Sequence, residues 1–413
     1  MRRHRSIPGV LIVVGALFLA VPAFGASSFK FNKADLNLLH ESDLLDQRLA
    51  SEGLVYEDAA TTHYVESVGR SLLPPGPPPE HVKWKFRVLR DADPNAFALP
   101  NGSVYIDTGL LSLMRNESQL AGVLGHEETH VLKRHAYLER RNARKKAVTL
   151  GILRAAGYWA GMELGVSGLV ASAISSVASD LVVATIYGYS REMEREADMR
   201  GLEAMEKAGY QPEGMVATLQ LLEKTVGQDH SPALYRDHPR LEARMEYLKG
   251  AIKANPPGPG PFRVGAKTYD KASEAVCVHD FKLEIMEGHP RRAVAIAHHL
   301  IDDHPTSENY RLLGDAYRAM GGRLPDPSAQ QISAERKHAR KMLRYKTHQE
   351  YEKALLSKRA GKAAWKENRE QADAAYQKAI QLDSSDAKAY RGLGFIYEDE
   401  QITYSRTRRS MST

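Results

Sequence analysis

The sequence predicts an α+β, mainly helical chain in two folded units, the first carrying a small sheet and the second all-α and repetitive. Three observations predict it. Apolar residues recur at helical spacing through most of the chain, while period-two alternation is confined to the stretch from Val82 to Ile106. The run Asn255-Pro256-Pro257-Gly258-Pro259-Gly260-Pro261 can form neither helix nor strand and separates two helical regions. Beyond it, Tyr310, Leu313, Gly314 and Tyr317 recur, at one constant offset, as Tyr390, Leu393, Gly394 and Tyr397.

Composition sets the frame. A chain of 413 residues exceeds what one core usually organises. Its 43% hydrophobic and 26% charged content excludes wholesale disorder. The net charge of +6 is partly terminal, with Arg2, Arg3 and Arg5 at one end and Arg406, Arg408 and Arg409 at the other, so no nucleic-acid-binding face is predicted. Cys277 stands alone and permits no intramolecular disulfide.

From the N-terminus, the three arginines precede an apolar run from Ile7 to Phe24 and the small-x-small sequence Ala23-Phe24-Gly25-Ala26. This pattern predicts a secretory signal peptide, residues 1–25, cleaved after Gly25. Export without disulfides suits a bacterial periplasm. A helix is predicted from Ala34 to about Ser51 and a second from about Asp58 to Leu73, which the proline cluster Pro74 to Pro79 ends. Val82, Trp84, Phe86 and Val88 alternate with basic residues as a half-buried strand does. Two short strands follow, Ala96-Phe97-Ala98-Leu99 and Ser103 to Ile106, around the turn Pro100-Asn101-Gly102.

A central helix starts at Asn116, with Gln119 completing a capping box and Leu120, Val123, Leu124 and Val131 forming its buried stripe. Residues 147–188 are small and apolar but interrupted by Glu163 and Asp180. They are expected to form a buried or interface-lying helical hairpin, which leaves room for peripheral membrane contact. Helix resumes near Ser190. The domain plan is therefore a first unit over 26–254, a linker over 255–270, helical repeats over 271–400 and a basic tail over 401–413.

The chemistry concentrates in Gly125-His126-Glu127-Glu128-Thr129-His130. On a helix, positions i and i+4 lie about 40° apart, so both imidazoles face one side and suit Zn²⁺. Glu127 falls about 60° from His130 and can reach a water there, whereas Glu128 points nearly the opposite way. Lys133 and Ala136 stand where a third ligand of the His-x-x-Gly-x-x-His kind would continue, so the third ligand must lie elsewhere. Glu194 and Asp198 share one face of a downstream helix, with Glu192 and Glu196 opposite. Glu194 can ligate the metal, and Asp198 can accept a hydrogen bond from a ligating imidazole.

These residues, with Asn95 to Gly102, Thr108-Gly109-Leu110-Leu111, His135 and Tyr189-Ser190-Arg191, resemble the gluzincin zinc metallopeptidases. That is the family of the CAAX-prenyl endopeptidases and HtpX, and the likeness covers about residues 30–250. It is strongest to the periplasmic BepA-like (beta-barrel assembly-enhancing) members, which add tetratricopeptide repeats. The resemblance implies a zincin-like metallopeptidase domain followed by a tetratricopeptide-like domain, with one Zn²⁺ per chain on His126, His130 and Glu194. It implies Glu127 as the catalytic base, and it draws attention to Asp237-His238-Pro239 followed by Arg244, with His238 as a gate or fourth ligand. An edge strand from Ala96 to Leu99 would take extended substrate by β-augmentation. Misfolded or unassembled envelope proteins are the implied substrates, and the repeats would dock an outer-membrane assembly machine. The rival reading is a chaperone or adaptor whose protease site is held latent under His238.

Overall fold

Asn32 and Asp35 open the first helix by capping each other: Asn32 Oδ1 accepts from the Asp35 amide at 3.0 Å, and Asp35 Oδ2 accepts from the Asn32 amide at 2.9 Å. The structure, a computed structural model, describes residues 29–150, 189–226, 241–258, 261–321 and 362–410. The expected signal peptide, most of the apolar 147–188 segment and part of the expected repeat region lie outside these residues.

The chain forms α1 (Lys33–Ser51) and α2 (Ala59–Leu72), then β1 (Lys85–Leu89), β2 (Ala96–Ala98) and β3 (Ser103–Asp107). Next come α3 (Thr108–Leu113), α4 (Glu117–Leu132), α5 (His135–Leu150), α6 (Arg191–Lys207), α7 (Glu213–Val226) and α8 (Leu241–Ala254). Then follow α9 (Ala266–Glu287), α10 (Pro290–Asp303), α11 (Ser307–Met320), α12 (Lys362–Leu382) and α13 (Ala387–Ser410). The architecture is mainly helical with one three-stranded sheet in the order β1-β3-β2. β1 pairs with β3 in parallel, and β2 pairs with β3 antiparallel, Phe97 opposite Tyr105. β2 is therefore an edge strand. Among the described residues no helix is long and apolar enough to cross a membrane.

The cap of α4 departs from the expected box. Asn116 Oδ1 accepts from the Gln119 amide at 3.0 Å, but Gln119 Oε1 takes the amide of Arg115 at 2.6 Å rather than that of Asn116. The Gln119 side chain thus caps one residue out of register.

One core unites α2, the sheet, α4 and α6 to α8, with Val65, Phe86, Ile106, Leu124, Met205 and Leu248 all buried in it. The expected linker over 255–270 is shorter and more ordered than its composition suggests. Arg263 exchanges backbone hydrogen bonds with Gly209 and Gln211 at 2.8 and 3.2 Å, and the Ser118 amide donates to the Val264 carbonyl at 3.1 Å. Helix α9 begins at Ala266, and its Tyr269 and Val276 enter the first core. Proline and glycine exclude helix here, yet the Arg263 amide and the carbonyls of Arg263 and Val264 dock the segment.

A second apolar cluster begins halfway along α9, where Cys277, Phe281 and Ile285 meet α10 and α11. Helices α11 and α12 pack where Gly314 faces the Tyr376 ring, so close that a Cβ there would lie 2.7 Å from it. In the second repeat the small residue at the contact is Gly392, whose Cβ would lie 2.4 Å from Tyr376, and not Gly394, which faces open space. Positions two apart on a helix point about 160° away from each other, so only one of the pair can face Tyr376. Helix α13 also continues to Ser410, through most of the expected tail.

Candidate metal centre

Two glycines bring the helices of the site together. A Cβ on Gly201 of α6 would meet the Gly125 carbonyl carbon and the His126 nitrogen of α4, each at 2.9 Å. Backbone meets backbone at that crossing, with the Met215 side chain also 3.0 Å from the same point. The sequence-based reading assigned no role to either glycine, because a small residue inside a helix carries no signal of what crosses it.

The crossing sets the inner face of α6 beside the histidine pair. His126 and His130 approach through their Nε2 atoms at 3.0 Å. Glu194 Oε2 lies 3.5 Å from His126 Nε2, and Glu194 Oε1 lies 3.7 Å from His130 Nε2. All three residues are buried, and their offered atoms lie within 4.8 Å of one another. Tetrahedral zinc with bonds of about 2.0–2.2 Å spaces its ligands about 3.3–3.5 Å apart, so the donor set and spacing fit that ion.

The surrounding groups orient the rings. His126 Nδ1 lies 2.8 Å from Asp198 Oδ1, which favours the tautomer leaving Nε2 free to ligate. Burial alone would lower the His126 pKa, but the Asp198 carboxylate outweighs it and raises it. His130 Nδ1 meets His135 Nδ1 at 3.0 Å, and the Tyr189 ring stacks on His130 at 4.0 Å. The turn that delivers His135 runs through Arg134, which has φ 59 and lies 4.6 Å over the Phe29 ring.

Asp198 has two further partners. Arg244 on α8 donates to it from Nη2 at 2.6 Å and from Nε at 2.8 Å, and Tyr247 donates its hydroxyl. Burial by itself would raise the Asp198 carboxyl, yet Arg244 and His126 outweigh it and hold it well below the usual range. Arg244 also lies 3.6 Å from Glu194. Its role was not legible in sequence, because 46 residues separate it from Asp198.

Removing Arg244 leaves a buried carboxylate without its cation. Arg244→Ala is expected to destabilise the protein by about 3–5 kcal/mol. Denaturant unfolding measures this, and a change within about 1 kcal/mol, the range of an exposed pair, would remove Arg244 from that role.

Glu127 sits between the histidines and the sheet edge. Burial pushes its carboxyl up to about 7, against the opposing pull of His126 and a hydrogen bond from the Ala98 amide. The alternation of the ladder sends the Leu99 amide inward to Ser103 and the backbone groups of Ala96 and Ala98 outward. The expected edge is thus narrower: Leu99 lies beyond β2, and Phe97 is turned toward β3. Glu128 is 1% exposed on the other side of α4, its carboxyl raised by burial and far from the cluster's function. His238 lies outside the described residues.

The arrangement suits hydrolysis: a ligand triad for one dication, a carboxylate base beside it and a strand that is at the sheet edge among the described residues, its Ala98 amide facing the base. Comparison with known proteins agrees with this chemistry. The profile described as Peptidase family M48 matches residues 59–252. Mitochondrial metalloendopeptidase OMA1 of Schizosaccharomyces pombe is 30% identical over 256 residues, which is 60% of this chain and 72% of that protein. Beta-barrel assembly-enhancing protease of Yersinia pestis is 27% identical over 247 residues, 58% of this chain and 48% of that protein. Metalloprotease YcaL of Escherichia coli K12 is 28% identical over 167 residues, 40% of this chain and 61% of that protein. The chain thus spans about half the length of the assembly-enhancing protease it matches.

Proposed function

Because this chain belongs to peptidase family M48 and is a zinc metalloendopeptidase, we propose that it hydrolyses misfolded or stalled envelope proteins in the bacterial periplasm. The observation that carries the reading is the convergence of His126, His130 and Glu194 beside Glu127, directly against β2, the edge strand among the described residues. The N-terminal sequence from Arg2 to Ala26 supports export, and the names of the assembly-enhancing relatives support outer-membrane protein quality control.

His126, His130 and Glu194 hold the zinc, with Asp198 and Arg244 fixing the first imidazole. Zinc bound there supplies Lewis acidity, acidifying water and polarising a carbonyl. Glu127 accepts the proton of the attacking water and passes it to the leaving amine. Ala96 and Ala98 align the substrate backbone by strand addition. Pairing of that kind reads main chain, so an extended, unfolded client is accepted with broad side-chain tolerance and a closed β-barrel, which has no free strand, is not.

The paired helices α10–α11 and α12–α13 act as tetratricopeptide-like units that select clients or dock an assembly machine. His238 would serve as a further zinc ligand that holds the enzyme latent.

A β-barrel outer-membrane protein, presented either unfolded or folded in detergent, tests the reading. The unfolded form is expected to be cut, with cutting abolished by chelator and accelerated several-fold in His238→Ala. Equal cutting of the folded barrel, or no cutting of either form, would sink the proposal.

A further inference from the structure

Asp270 lies in the first turns of α9, and His299 and Asp303 lie one turn apart at the end of α10. We propose that these three residues form a second metal site, separate from the His126 cluster and suited to a borderline dication such as Zn²⁺ or Mn²⁺.

Among the described residues two groups bring three such ligand atoms within 4.8 Å of one another, and this is the second. His299 Nε2 lies 3.3 Å from Asp270 Oδ1 and 3.8 Å from Asp303 Oδ2. The corresponding separations in the first cluster are 3.5 and 3.7 Å, so the same chain shows the same spacing twice. One imidazole and two carboxylates form a mixed N/O donor set of the kind that Zn²⁺ and Mn²⁺ accept, with water completing the coordination.

The ring is held for this purpose. His299 is 5% exposed, and its Nδ1 is buried without a hydrogen-bond partner. Nε2 is the atom aimed at both carboxylates, and a backbone group of Ser112 also engages the ring. Neither Asp270 nor Asp303 forms an ion pair with a lysine or arginine among the described residues; both face His299, and the two carboxyls also lie within hydrogen-bonding reach of each other. Two carboxylates brought together in this way favour a cation between them. A small recess of about 10 Å³, lined also by Glu274, Cys277 and His304, opens onto the group and is large enough for a single ion or water.

Position gives the site a use. The N-terminal half of α9 is built into the peptidase core through Tyr269 and Val276, whereas α10 belongs to the second apolar cluster. An ion shared by Asp270, His299 and Asp303 clamps the helical hairpin onto the peptidase unit, and binding to the folded state alone stabilises it.

The full chain, dialysed against Zn²⁺ and separately against Mn²⁺, tests this by bound metal per chain and by Tm with and without metal. Wild type is expected to hold two equivalents with at least one of these ions. Glu194→Ala should keep the second, while His299→Gln and Asp303→Asn each hold one equivalent fewer than wild type and still cut a peptide substrate. Asp303 is exposed at the helix end, so its variant decides the matter if His299→Gln fails to fold. One equivalent in wild type with both ions, or an unchanged count in Asp303→Asn, overturns the proposal. Because the Glu194→Ala arm is read separately, an error in the catalytic ligand set remains distinguishable.

Discussion

Glu127→Gln is expected to lower kcat/KM on a peptide substrate by about 10²–10⁴-fold while leaving the zinc content unchanged. The amide matches the carboxylate in size and still accepts a hydrogen bond from the Ala98 amide, so the pocket keeps its shape. What it lacks is a basic oxygen able to take a proton from water. Zinc is retained because Glu127 is not one of the three convergent ligands. The paired measurements are peptide hydrolysis and metal analysis of the same preparation. Activity within about 10-fold of wild type would be too small a loss for removal of the general base and would assign that role elsewhere. The same variant separates an enzyme from an adaptor, since any function carried by the repeats alone survives it.

Glu194→Ala is expected to reduce bound zinc by one equivalent per chain and to abolish hydrolysis. Two imidazoles remain, 3.0 Å apart, but the one carboxylate that faces both of them among the described residues is gone. Loss of an outer hydrogen-bonding partner of a zinc ligand costs roughly 10–100-fold in affinity, and loss of a ligand costs more. Asp198 does not substitute, because its carboxylate is engaged by His126, Arg244 and Tyr247. Metal analysis after dialysis reads the result directly. A variant that kept its full zinc complement would show that another group closes the site.

Much of this centre was legible because helical periodicity is a local property. The i, i+4 spacing of His126 and His130 and of Glu194 and Asp198 assigns each pair to one face before any fold is known. The caps at Asp58, Asn116 and Ser190 mark where those helices start, and each side chain accepts a backbone amide within the following three residues. The alternation around Phe86 and the turn at Asn101-Gly102 identify the strands in the same local way. Where reading failed, the deciding contact was distant. Gly394 matches the repeat pattern and Gly392 does not, yet Tyr376 of the neighbouring helix rests on Gly392.

The sequence by itself determined which residues can do chemistry: the two imidazoles, the base between them and the carboxylate pair on a later helix, each placed on a face by backbone geometry alone. Tertiary structure decided which of those faces meet. The contact of Gly125 with Gly201 sets the helix separation, Arg244 arrives on a third helix to neutralise Asp198, and the docking of Arg263 and Tyr269 joins the segment after the prolines to the first core. The physical reason is range. Helix and strand patterns follow from hydrogen bonds a few residues long, whereas helix crossings and buried ion pairs depend on packing between segments whose separation along the chain carries no record of their contact.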